Sequence, residues 1–102
     1  MKWALRYNEH FADLVFYDEW THTQIEYDLK LIGPNPHEDV VDCGDELWRY
    51  DFVGGAVWFT RIDAFTLYIV YASESADGAS EARARGLAFQ GRKSHGRGRK
   101  PS

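Results

Sequence analysis

A single cysteine, Cys43, in 102 residues leaves no partner for an intramolecular disulfide. The first ten residues lack the apolar stretch of a secretory signal peptide, so a reduced, cytoplasmic setting is expected. Long apolar runs are scarce as well. The longest, Phe65 to Ala72, is strand-sized and interrupted by Thr66, well short of the roughly 20 residues that cross a bilayer. His10, His22 and His37 show neither His-x-x-x-His nor Cys-x-x-Cys spacing, so neither a metal nor another cofactor is expected. No cation neighbours Cys43, and Asp42 and Asp45 disfavour its thiolate, which excludes it as a nucleophile.

Aromatic residues are plentiful, with four Trp, six Tyr and six Phe, and Phe89 alone lies beyond Tyr71. The core must therefore be built from the first part of the chain. Charge divides the same way. Residues 1–81 carry 16 acidic and 5 basic side chains, a net charge of −11, whereas residues 82–102 carry 7 basic and none acidic. The sequence predicts one α+β domain over residues 1–79, followed by a disordered, basic Gly/Arg-rich tail over 80–102 with room only for a short helix near Glu81 to Leu87. Such a tail meets a polyanion or folds back on its own acidic domain.

Within the domain, Trp3 to Tyr7 reads as a first strand ended by Asn8. Phe11, Leu14 and Val15 recur at helical spacing after Glu9, which predicts a first helix. Thr21 and Gln24 have the spacing of a capping box, and Ile25, Leu29 and Ile32 supply the apolar face of a second helix that stops at Gly33-Pro34. Asp18 and His22 straddle the break between these helices and make at most a surface ion pair. A turn and a short extended piece at Val40-Val41 follow. Three strands are predicted over Leu47 to Val53, Ala56 to Asp63 and Phe65 to Ala72, joined by Gly54-Gly55 and Asp63-Ala64. In the first of them Trp48, Tyr50 and Phe52 share one face and Arg49 and Asp51 the other, so the helices should cover the aromatic face alone.

Leu31, then Asn35-Pro36, Gly44, Leu47-Trp48-Arg49 and Gly54-Gly55 occur in an order that resembles the RelE/ParE superfamily of bacterial toxins over about residues 3–72. The resemblance implies an N-terminal strand, a helical hairpin and a three-stranded antiparallel meander. It also implies a toxin of a toxin–antitoxin pair, acting on mRNA at the ribosome or on gyrase and neutralised by an antitoxin. RNA cleavage in that family proceeds without metal, by 2′-hydroxyl attack with a base, a cation and an acid. The family places an arginine just after the glycine turn, where this chain has Trp58. Arg61 lies three residues on, facing the other way unless a bulge shifts the register. The candidates that remain are Arg61 and Tyr71 for catalysis and Arg49 as a phosphate contact.

The tail adds Arg92, Lys93, Arg97, Arg99 and Lys100 as nucleic-acid contacts, and Arg97-Gly98-Arg99-Lys100-Pro101 is similar to the core of an AT-hook. Against an RNA-gripping surface stands the domain's own charge. The alternative is a non-catalytic acidic binding or inhibitor protein of the same fold, with Arg49 paired to Asp51 or Asp63 and Trp58 in the core.

Overall fold

Ala4–Tyr7 forms strand β1, Val40–Gly44 β2, Leu47–Phe52 β3, Gly55–Arg61 β4 and Thr66–Ser73 β5. Helix α1 spans Glu19–Ile32, α2 spans Gly78–Ser94, and a 3-10 turn occupies Phe11–Asp13. The structure, a computed structural model, describes residues 2–94. The strands join in one sheet of order β1-β5-β4-β3-β2. From β2 to β5 they form an antiparallel meander, and β1 closes the far edge parallel to β5, with Ala4 beside Thr66 and Tyr7 beside Ile69. The chain is thus α+β with a mixed, five-stranded sheet, where three meander strands and a purely antiparallel sheet were expected. Val40-Val41 belongs to a full edge strand, because the turn at Gly44 to Glu46, all at positive φ, folds it back onto β3.

Both faces of the sheet are covered. On one, Ile25 and Leu29 of α1 pack with Phe11, Tyr50, Val57, Phe59, Leu67 and Ile69, and the expected aromatic face of β3 lies here. On the other, Ala84 and Ala88 of α2 pack with Leu47, Ala56, Trp58, Tyr68 and Val70. The face carrying Arg49 and Asp51 therefore lies under a helix. The expectation of a disordered tail from Ser80 is corrected over residues 80–94, which are helical. The physical reason is close approach: the buried positions of α2 are Ala84, Ala88 and Gly91, small enough to bring its backbone onto the sheet. A Cβ at Gly91 would lie 2.6 Å from Cδ2 of Tyr68.

The helical hairpin is also corrected. Only the 3-10 turn forms before α1, because Phe16 and Tyr17 pack on Phe52 at centroid distances of 6.1 and 5.3 Å. They hold the chain extended as far as Asp18, whose ψ is 169°. Asp18, not Thr21, is the N-cap of α1: its carboxylate accepts from the Thr21 N–H at 2.7 Å. The predicted stop at Gly33 is observed. The Gly33 N–H donates to the Leu29 carbonyl, and a Cβ there would lie 2.7 Å from Cδ1 of Trp3, so a glycine at φ 59° lets β1 and the end of α1 meet. Among the described residues no helix is long and apolar enough to cross a membrane.

Candidate binding groove

Where β1 ends at Tyr7, the chain must turn back toward α1, and the turn leaves an open cavity of about 540 Å³. Asn8 fixes the turn. Its N–H donates to the Ile69 carbonyl, its side chain accepts from the His10 N–H at 2.8 Å, and its carbonyl accepts from the Phe11 N–H. Phe11 is thereby driven into the core, 3% exposed, and its ring lies 5.2 Å from that of Tyr7.

From the other side α1 contributes His22 and Glu26, one turn apart. The Tyr7 hydroxyl donates to Oε2 of Glu26, and Nε2 of His22 lies 3.5 Å from the same oxygen. Nδ1 of His22 is 3.4 Å from the Tyr17 hydroxyl. The imidazole thus sits among three rings, with centroid distances of 5.7 Å to Tyr7, 6.4 Å to Phe11 and 5.8 Å to Tyr17. Burial first, and then the hydrogen bond and charge of Glu26, push the Tyr7 phenol well above its ordinary 10.0. Burial, followed by the Glu26 charge, pushes Tyr17 up to about 12. Both phenols therefore keep their protons at neutral pH, and Tyr7 donates its own to the Glu26 carboxylate.

Ala12 and Val15 complete the apolar lining, and Glu9, Asp18 and Glu19 border the cavity, where no Lys or Arg stands among the described residues. An anionic guest would meet like charge there. What the cavity offers is aromatic faces and carboxylates, the surroundings of an organic cation. A second cavity, of about 520 Å³ and bordered by Leu87, Gly91 and Ser94 of α2, shares Tyr7, Asn8 and Glu9 with the first. The two adjoin at the end of β1, one on the α1 side and one on the α2 side.

The residues singled out in the sequence lie elsewhere. Arg61 and Tyr71 do not converge: in the β4–β5 register Arg61 stands opposite Leu67 and Tyr71 opposite Trp58. A bulge does occur between Trp58 and Phe59, but the extra residue, Val70, is on β5. The alternation of β4 continues unbroken, and Arg61 stays on the face of Leu67, opposite to Trp58. Arg61 lies 3.7 Å from the Glu46 carboxylate. Trp58, at the position of the family's arginine, is fully buried under α2, and its indole N–H finds no hydrogen-bond partner among the described residues.

Arg49 lies on the α2 face and donates twice to Asp51, at 2.6 and 3.0 Å, with Glu81 of α2 at 3.8 Å. The Asp51 hydrogen bond in particular raises its pKa. Arg92 donates to the Thr60 hydroxyl at 2.8 Å, and Lys93 stands 5.3 Å from the Phe89 ring centroid. Arg97, Arg99 and Lys100, with the AT-hook-like run, lie outside the described residues. Burial first, and then a hydrogen bond with Glu81, push Cys43 up to about 11, so its thiol stays protonated.

His37, Glu38 and Asp39 bring one ligand atom each within 4.8 Å of one another, all exposed. His37 Nδ1 there accepts the Asp39 N–H at 3.1 Å, so the cluster reads as a local turn. The sequence showed no sign of the groove except the four-residue step from His22 to Glu26. Asp18 does not pair with His22 through its carboxylate; its backbone carbonyl accepts the His22 N–H. No family model, no curated protein and no solved structure matches the chain.

Proposed function

We propose that this chain is a non-catalytic acidic binding protein that docks a basic segment of a partner protein. One observation carries the reading. Arg49, Arg85 and Arg92 are engaged within the fold, Arg49 by Asp51 and Glu81, Arg85 by Asp45 and Glu81, Arg92 by Thr60, whereas Glu9, Asp18 and Glu19 border an open cavity that no Lys or Arg lines among the described residues. A sheet covered on both faces and a net excess of carboxylates suit protein docking better than a grip on phosphates.

The other reading, a RelE/ParE-type endoribonuclease held by an antitoxin, needs Arg61 and Tyr71 at one phosphate. They stand on opposite faces of β4 and β5, three ladder positions apart, which is roughly 10 Å along a strand. The two readings separate in one experiment. The full chain is titrated with a labelled Arg/Lys-rich peptide and, separately, with a single-stranded RNA of matched length, at low and at physiological salt. Saturable peptide binding that weakens as salt rises, with the RNA left intact, is the expected result. RNA cleavage, or growth arrest on expression that Arg61→Ala relieves, would overturn it.

A further inference from the structure

We infer that the cavity at the end of β1 receives an arginine side chain from an extended basic segment of the partner. The inference rests on the reading of the chain as an acidic binding protein and adds to it the anchor residue.

Three features converge on a planar cation. The walls include the rings of Tyr7, Tyr17 and His22, backed by the buried Phe11, and a guanidinium stacks on such faces, whereas an ammonium is a compact and strongly hydrated point charge. The acceptors are spread around the opening. Asp18 spends one oxygen on the Thr21 N–H, and Glu9 lies 3.3 Å from its neighbour His10 on the exposed surface. Glu19 has no cationic partner among the described residues. A planar forked donor can pair bidentately with a carboxylate while its face lies on a ring, a geometry that a compact ammonium lacks. Finally, the volume, about 540 Å³, exceeds what one side chain fills, and a second cavity adjoins it at Tyr7, Asn8 and Glu9. That space leaves room for the residues flanking the arginine, which argues for a peptide and against a free amine.

The test uses the full chain, uniformly labelled with nitrogen-15, and three short capped Gly/Ser peptides that differ at one central residue: arginine, lysine or citrulline. Citrulline keeps the planar shape and loses the charge. Amide shifts at Tyr7, Phe11, Tyr17 and His22 are expected to saturate with the arginine peptide, with weaker binding of lysine and none of citrulline. Glu9→Gln with Glu19→Gln removes two exposed carboxylates that no core contact needs, and should weaken the arginine peptide about threefold to tenfold.

Equal binding of arginine and lysine peptides, shifts mapping away from these four residues, or indifference to the double substitution would each overturn the inference. A longer Arg/Lys-rich peptide that still binds the double variant at full strength would sink the arginine pocket and leave the acidic binding protein standing. Failure of every basic peptide to bind the unaltered chain would sink both.

Discussion

The guanidinium of Arg92 donates to the hydroxyl of Thr60 at 2.8 Å, and that hydroxyl in turn donates to the Glu46 carbonyl at 2.5 Å. Thr60 is fully buried, so this relay fastens the last turn of α2 to β4 and to the β2–β3 turn. Thr60→Val keeps the shape but leaves both a carbonyl and a guanidinium without the hydroxyl. The expected loss is about 1–3 kcal/mol, read as a lower urea midpoint at unchanged slope. An unchanged midpoint would mean that α2 contributes little at that end.

Glycine to alanine at two positions of α2 should give opposite signs. Gly86 has nothing within 4 Å of an added Cβ, so Gly86→Ala should stabilise by about 0.4–1 kcal/mol through the lost freedom of the unfolded chain. At Gly91 the same methyl runs into the Tyr68 ring, and Gly91→Ala should cost about 1–3 kcal/mol. If 78–94 were a solvated segment, the two substitutions would behave alike. Thermal unfolding of both variants decides it.

These small residues also explain why the helix is hard to read in the sequence. Ile25, Leu29 and Ile32 announce α1, because a distant apolar stripe needs large side chains to reach the sheet. Ala84, Ala88 and Gly91 do the opposite: they bury the helix by close approach, and among arginines and glycines that pattern resembles a linker. Strands β1, β3, β4 and β5 were legible from their aromatic and β-branched density, and the stop of α1 from Gly33-Pro34, whereas β2 showed only as the short piece at Val40-Val41. Phe11, Leu14 and Val15 have helical spacing yet make only one short turn, since Phe16 and Tyr17 are claimed by Phe52. The groove was not legible as a site. Tyr7 and Glu26 are 19 residues apart and meet only because β1 and α1 pack, and nothing in the local pattern of either segment announces the other.

The start of α1 offers a comparison between two candidate caps. Asp18 accepts the Thr21 N–H, and that hydrogen bond holds its carboxyl below the ordinary 3.8. Asp18→Ala should therefore lower the melting temperature, since the Thr21 N–H loses its acceptor. Thr21, inside the first turn, should tolerate Thr21→Ala within about 0.5 kcal/mol, because alanine is the better helix former. Circular dichroism melts in parallel measure both. A larger loss at Thr21 than at Asp18 would move the cap to Thr21.

The tyrosines and the capping aspartates set opposite ends of the pH profile. Burial raises Tyr7, Tyr17 and Tyr50 above their ordinary 10.0 in the folded chain, with Glu26 adding to the first two and Asp28, which accepts the Tyr50 hydroxyl at 2.5 Å, to the third. A group whose folded pKa is raised contributes stability that is fully present below the unfolded value and lost as pH climbs through the folded one. The alkaline loss should therefore begin near pH 10 and deepen toward about 12, where Tyr17 ionises. Asp18, Asp63 and Asp77 are lowered by backbone hydrogen bonds, so their contribution is present above 3.8 and falls away as pH drops below it. Stability should plateau between these limits. Tyr17→Phe removes one buried phenol while keeping its ring, and should flatten part of the alkaline decline without moving the acid limb. Phenolate absorbance followed beside circular dichroism tests the assignment: if all the tyrosines ionise together near pH 10 while the fold stays intact, the phenols are not held by Glu26 and Asp28.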